Sequence, residues 1–337
     1  MGAGRRACRR SSVFVVRRIK FCQRAYAVCR WRHNRVALGR RCMSEKIALI
    51  GAGAMGGAIG QRLCATGQTL SVFDLDADRV KALVDVGATA AASAADAAAQ
   101  ADFVITSLNA SHIVERAAFG PGGIVEGAKE GTIIIDMSSI DPEATRDFAD
   151  RAAAHGLAWV DSPLSGGAPK ALTGELTLMA GGVAEDVAKA HIALQHVASN
   201  YTHMGPSGAG QTTKLINQVL CGLGFLAVAE ATQLALDAGV DAEKIPQALR
   251  GGRADSALLQ EYLPRFATKD YRRTGRIDNM VKDLNAVNDL ARRTGTSMPM
   301  TALCAEIHRM LTAAGLGGED QAAVMEFFSG ARLPAGH

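Results

Sequence analysis

From residue 46 onward, short apolar runs alternate with segments whose apolar positions recur at helical spacing. Residues 46–50 read as a short apolar strand, and residues 54–66 as a helix closed by Gly67. Residues 69–74 predict a second strand, and residues 77–86 a second helix closed by Gly87. Further strands are expected at 103–107, 132–136 and 158–161, with helices between them. One of these helices follows Asp141-Pro142, where the Asp caps and the Pro starts it. The Ala-rich run 88–101 suits a small helix against the sheet. This βαβ alternation predicts a parallel sheet covered by helices.

After about Gly205 the texture changes. Residues 211–238 form a long apolar-rich helical run in which Gly222 and Gly224 allow close packing. Residues 241–249, 277–293 and 300–314 are also helical in pattern, and no strand pattern is visible there. The predicted fold is therefore α/β: an N-terminal Rossmann-type parallel sheet (46–206) plus a C-terminal all-helical domain (207–330), joined by a long helix. The boundary falls in Gly205-Pro206-Ser207-Gly208. There are no internal repeats, and no apolar run reaches the length needed to cross a bilayer, so no membrane partner is expected.

Composition changes the picture mainly at the N-terminus. The formal charge of +4 conceals an asymmetry: residues 1–42 hold 13 of the 37 Lys and Arg and none of the 33 Asp and Glu. The remainder has 24 basic against 33 acidic residues, a net of −9. Residues 1–42 read as a basic extension outside the folded body of the chain. Three origins compete: a mitochondrial transit peptide, a nucleic-acid-binding arm, or translated upstream sequence with Met43 as the working start. The third fits best, because MSEKIALIGAG enters a strand almost at once. A cytoplasmic location follows from it, and the mitochondrial matrix from the first. Nucleic-acid binding would rest on this segment alone and is not expected of the acidic body. Four of the seven cysteines also lie here; Cys64, Cys221 and Cys304 are widely spaced, with neither a disulfide framework nor metal-ligand spacing.

Four blocks carry candidate chemistry. Gly51-Ala52-Gly53-Ala54-Met55-Gly56 fits G-x-G-x-x-G between a strand and a helix, the context of a dinucleotide site. Gly51 permits the tight turn, Gly53 the approach of a pyrophosphate, and Gly56 close helix–strand packing, with the helix N-terminus facing the phosphates. Asp74 ends the next strand, 21 residues after Gly53. A carboxylate there accepts from both ribose hydroxyls and repels a 2′-phosphate, which favours NAD over NADP; Leu75, rather than Arg, points the same way. The plain alternative is that Asp74 caps the following turn.

The stretch 161–182 holds five glycines and two prolines, so its first part is expected to be a shaped loop. Ser165-Gly166-Gly167 would leave N–H groups beside a hydroxyl, fit for a carboxylate or phosphate or else for an ordinary turn. Lys214 lies on the first turns of the long helix, with Asn217 on the same face. It is either a snorkelling surface residue or a buried acid/base group. Lys282-Asp283-Leu284 is a second candidate, or a solvated helix face.

Together and in this order, these blocks resemble the β-hydroxyacid dehydrogenase family over about residues 46–330. The resemblance implies Lys214 as catalytic lysine, Ser165, Gly166 and Gly167 as substrate-carboxylate loop, and Asn217 as substrate-binding. It also implies cofactor contacts at Ser139 and Lys282 and assembly as homodimers or homotetramers; from the residue spacing no metal is expected. The family usually reads Asp-Ala-Pro-Val before Ser-Gly-Gly; Asp161-Ser162-Pro163-Leu164 departs mildly and should leave the loop intact. Ala168-Pro169-Lys170-Ala171 and the stretch from Leu249 to Ser256 look like the family's tartronate semialdehyde (2-hydroxy-3-oxopropionate) reductases. 3-Hydroxyisobutyrate dehydrogenase and L-threonate dehydrogenase are the nearest alternatives, and a non-catalytic dinucleotide-binding scaffold is the alternative from another class. A 6-phosphogluconate dehydrogenase would show K-x-x-H-N with a nearby Glu, whereas Lys214 is followed by Leu-Ile-Asn-Gln. The expected activity is hydride transfer between NAD, or NADP, and a small carboxylate-bearing 3-hydroxy acid.

Overall fold

The computed structural model describes residues 45–330. The expectation for the basic extension 1–42 lies outside the described residues. The chain first builds β1 (Lys46–Ile50), α1 (Ala54–Ala65), β2 (Thr69–Phe73), α2 (Ala77–Val84), β3 (Thr89–Ala90), α3 (Ala94–Ala98) and β4 (Phe103–Thr106). It continues through α4 (Ser111–Phe119), α5 (Ile124–Gly127), β5 (Ile133–Asp136), α6 (Pro142–Ala154) and β6 (Ala158–Asp161). These six strands lie parallel in the order β3-β2-β1-β4-β5-β6. The order reverses direction between β1 and β4, where an open α/β sheet places its ligand cleft.

The central strands read as continuous apolar runs because helices cover both faces. Ile47, Leu49, Ile105 and Ile135 point into one core layer, with Ile59 and Leu63 of α1. Ala48, Ile50, Val104 and Ile134 point into the other, with Phe148 of α6 and Trp159. Asp141 caps α6 by accepting the Glu143 N–H at 2.7 Å, and Pro142 starts it.

The sheet then extends further than the sequence reading foresaw. β7 (Leu164–Ser165), α7 (Gly167–Thr173), β8 (Leu176–Gly181), α8 (Ala184–Leu194) and β9 (Ala198–Gly205) follow. The loop expected in the first part of 161–182 is thus the short strand β7 and the helix α7, and the rest of the stretch is the strand β8. β8 runs antiparallel to β6 and β7, and β9 parallel to β8. The run 88–101 holds the strand β3 as well as the helix α3.

Past Gly205 the described residues are helical: α9 (Ala209–Asp237), α10 (Ile245–Leu249), α11 (Ala257–Thr268), α12 (Ile277–Thr294), α13 (Pro299–Leu311) and α14 (Met325–Phe328). They enclose their own core around Phe225, Tyr262, Phe266, Leu284 and Ile307. α11 was not foreseen; Pro264 interrupts its pattern. α9 packs on β8 and β9 at one end and on α11, α12 and α13 along its length, with Leu284 and Cys304 filling the space beside Gly222. One sequence expectation fails here: α9, at 29 residues, is long and apolar enough to cross a bilayer. Its buried polar residues Gln211, Gln218 and Thr232 and its packing against other helices fit a core helix.

Candidate active site

The Gly-rich turn sits between β1 and α1, at the point where the strand order reverses. A Cβ on Gly51, whose φ is +95°, would meet the Ser107 carbonyl oxygen at 2.5 Å. A Cβ on Gly56 would lie 1.9 Å from the Gly51 carbonyl oxygen. Both glycines are therefore demanded by internal packing. Gly53 differs: its Cβ would meet only an Arg79 guanidinium nitrogen, at 3.9 Å. The residues thus fit a dinucleotide: Gly53 caps α1 without a side chain, and the first helical N–H groups, at Ala54, Met55 and Gly56, have no acceptor one turn back.

A cleft of about 650 Å³ opens beside Gly51 and is lined by Asp74, Leu75, Arg79, His112 and Arg116. Asp74 accepts the Ala52 N–H at 2.6 Å and the Asp76 N–H at 2.9 Å. It therefore does cap the turn, and it braces the Gly-rich loop while lining the cleft. Arg79 approaches Asp74 at 3.9 Å but pairs more closely with Asp76, at 3.0 Å.

On the other side of the turn lies a cavity of about 270 Å³ that brings together residues distant in sequence. It is lined by Gly53 before α1, Ala54, Met55 and Gly56 from its first turn, Ser139 after β5, Lys214 from α9, and Lys282 and Asp283 from α12. Lys214 Nζ donates to Gln218 Oε1 at 2.8 Å. The same oxygen accepts from Asn217 Nδ2 at 2.8 Å, and Gln218 Nε2 donates to Asp283 at 2.5 Å. Burial holds the Lys214 ammonium below its ordinary pKa, against the opposing pull of the Asp283 charge. Lys282 Nζ lies 3.5 Å from Asp283 and donates to the Ser139 carbonyl at 3.4 Å.

The Ser165-Gly166-Gly167 segment does not itself line this cavity; its neighbour Leu164 does. Ser165 closes β7 opposite Thr177 of β8. Gly166 takes φ +125°, a conformation favouring glycine, and the stem of Lys170 fills the space where a side chain would stand. Asn217 is held against Gln218 and Cys221, with Nδ2 3.5 Å from the thiol.

Two groups that the sequence reading missed tie these parts together. The first is the Gln218–Asp283 pair: Asp283 stood in the Lys282-Asp283-Leu284 candidate, whereas Gln218 was signalled only by lying one helical turn after Lys214. The second is Asp161, whose carboxylate accepts the Gly208 and Gln211 N–H groups at the start of α9, each at 2.9 Å. Gln211 in turn holds the loop after β5: its amide donates to the Ser138 carbonyl at 2.8 Å and accepts the Ile140 N–H at 3.2 Å. Ser139 sits between those two contacts.

A family model described as the NAD binding domain of 6-phosphogluconate dehydrogenase matches residues 46–205. Another, described as NAD-binding of NADP-dependent 3-hydroxyisobutyrate dehydrogenase, matches residues 208–328. An L-threonate dehydrogenase of Cupriavidus necator is 33% identical, over 87% of this chain and 99% of its own length. An NAD-dependent L-serine dehydrogenase of Pseudomonas aeruginosa is 34% identical, over 84% of this chain and 98% of its own. Among solved structures, a Mycobacterium tuberculosis 3-hydroxyisobutyrate dehydrogenase with L-serine superposes with a TM-score of 0.78 at 28% identity, covering 86% of this chain and all of that one.

Proposed function

The chain belongs to the β-hydroxyacid dehydrogenase family, NAD(P)-dependent oxidoreductases of the CH–OH group, and on that premise we propose that it interconverts 2-hydroxy-3-oxopropionate (tartronate semialdehyde) and glycerate with Lys214 as acid/base. The observation that carries this reading is the position of Lys214: a partly desolvated ammonium in the cavity that also holds the N-terminus of α1 and Ser139. A bound nicotinamide supplies the hydride donor or acceptor. Lys214 gives its proton to the carbonyl oxygen in reduction and takes one from the hydroxyl in oxidation, and its charge stabilises the developing alkoxide. Burial lowers the ammonium's hold on its proton, which suits a group that must both give and accept one.

In this reading the Ser165 hydroxyl and the Gly166 and Gly167 N–H groups hold the substrate carboxylate, assisted by Asn217. Gly51, Gly53, Ala54, Met55, Gly56, Ser139 and Lys282 hold the cofactor, and Asp74 selects NAD through the ribose. Residues 46–206 form the cofactor domain and 207–330 the helical domain of a cytoplasmic homodimer or homotetramer. The exposed Ile216, Leu220 and Leu234 on α9 support an assembly.

L-threonate oxidation is the second reading, favoured by the Cupriavidus necator relative. Steady-state rates with NADH and NADPH on tartronate, methylmalonate and succinate semialdehydes, beside NAD reduction with D-glycerate, 3-hydroxyisobutyrate and L-threonate, separate them. A kcat/KM at least about tenfold higher for tartronate semialdehyde supports the first reading. Preference for L-threonate transfers the assignment to the second. Near-normal turnover of Lys214→Ala removes the lysine from its role.

A further inference from the structure

The Lys214 ammonium faces few charged groups. Asp283 and Lys282 reach it from α12 and the Cys221 thiol from its own helix. The cavity lining contributed by the sheet domain is uncharged: Ser107, Asn109, Ser138 and Ser139 are its polar members. Asp283 is therefore the carboxylate available to Lys214, yet the two form no ion pair within 4 Å among the described residues. The Gln218 amide stands between them, its oxygen on Lys214 and its nitrogen on Asp283. The orientation of that amide is fixed from three sides, because Oε1 also accepts from Asn217 and the carboxylate requires the donor end.

We infer that Gln218 is a positioning residue that aims Lys214 into the cavity and keeps the Asp283 carboxylate from pairing with it. An amide can hold an ammonium by a hydrogen bond without neutralising it. A carboxylate in the same place would trap the proton in a desolvated ion pair. Asp283 then acts at one remove. It anchors the amide from α12, and its own charge is shared with Lys282, which reaches the Ser139 carbonyl on the cofactor side. The position of the lysine and that of the cofactor loop are thereby set by one chain of contacts across α9 and α12.

This inference rests on the reading of Lys214 as acid/base, and the test separates the two. The pH dependence of kcat/KM is measured on the full chain for Gln218→Glu, Gln218→Ala and Asp283→Asn, with Lys214→Ala as reference and melting temperature and NAD(H) binding as controls. Gln218→Glu places a carboxylate against Nζ and moves the lysine limb of the profile up by about one pH unit or more. Gln218→Ala lets Asp283 close on Lys214, moves the limb the same way, and lowers kcat by about a hundredfold through misplacement. Asp283→Asn moves the limb down. A limb unmoved in all three, with Lys214→Ala inactive, overturns the spacer role while leaving the lysine assignment intact. An active Lys214→Ala removes the premise instead.

Discussion

Asp161, at the end of β6, accepts the backbone N–H of Gln211 at 2.9 Å across fifty residues of sequence, and its second oxygen accepts Gly208 at the same distance. The sheet thus supplies the N-terminal cap that α9 lacks from its own residues, since Gly208 brings no side chain. Both carboxylate oxygens are engaged and the residue is fully buried. Asp161→Asn turns one acceptor into a donor facing an N–H group. The expected loss is about 1–3 kcal/mol, the cost of a buried donor left unmatched. Chemical denaturation at pH 7 measures it, and an unchanged midpoint would remove the cap from the account. Because Gln211 also pins the loop around Ser139, NAD(H) affinity should fall in the same variant.

Gly56 and Gly53 of the turn should separate under substitution. Gly56→Ala drives a Cβ to 1.9 Å from a backbone oxygen, so β1 and α1 must part, at about 3 kcal/mol of stability. Gly53→Ala meets nothing closer than 3.9 Å at a φ of −62°, which Ala adopts freely, so its melting temperature should stay near wild type. On the proposed cofactor site, what Gly53→Ala would obstruct is the pyrophosphate. Loss of one charge-assisted hydrogen bond predicts about a tenfold to hundredfold weaker cofactor titration. Equal stability losses in the two variants would contradict the distinction.

The contrast bears on how much was legible in the sequence. β1, β4 and β5 were readable because strands buried on both faces become apolar runs, and no other element of that length competes. β9 was not, since most of Ala198–Gly205 is exposed and its residues carry no clean alternation. β8 is buried except at the half-buried Thr177, but it stands among glycines that argue for a loop. Lys214 stood out as a cation on an apolar helix, and Asp283 as part of Lys282-Asp283-Leu284. The Gln218 bridge between them did not, because a hydrogen bond spanning 65 residues leaves no local pattern.

Asp74 serves two masters, and its substitution should show both. It accepts the Ala52 and Asp76 N–H groups, and it lines the cleft proposed to take the ribose hydroxyl or a 2′-phosphate. Asp74→Ser removes the negative charge and loosens Arg79 from its second carboxylate. The NADP/NAD ratio of kcat/KM is expected to rise at least about tenfold, equal to about 1.4 kcal/mol of relieved repulsion. Asp74→Asn keeps one acceptor for the turn and should shift the ratio with a smaller loss of stability. A ratio unchanged in both variants would mean that Asp74 is only a turn cap.

Asp136 offers the reverse case to Asp161. Its Oδ1 accepts the Thr106 hydroxyl at 2.7 Å and the Ser138 N–H at 3.0 Å, whereas its Oδ2 is buried without a partner. Burial pushes its pKa from 3.8 up to about 6, with the Asp161 charge adding to the rise. The folded state therefore holds this proton more tightly than the unfolded chain, so stability due to Asp136 is present below about pH 4 and is lost as pH rises towards 6. The shift corresponds to about 3 kcal/mol. Asp136→Asn keeps the Oδ1 contacts and carries no charge. It should match or exceed wild-type stability at pH 7, fall to parity or below near pH 4, and flatten the dependence between. Urea midpoints at pH 4, 5, 6 and 7 for both proteins test this. A wild-type profile that rises across that window, with Asp136→Asn parallel to it, would show that the carboxylate is ionised at no cost.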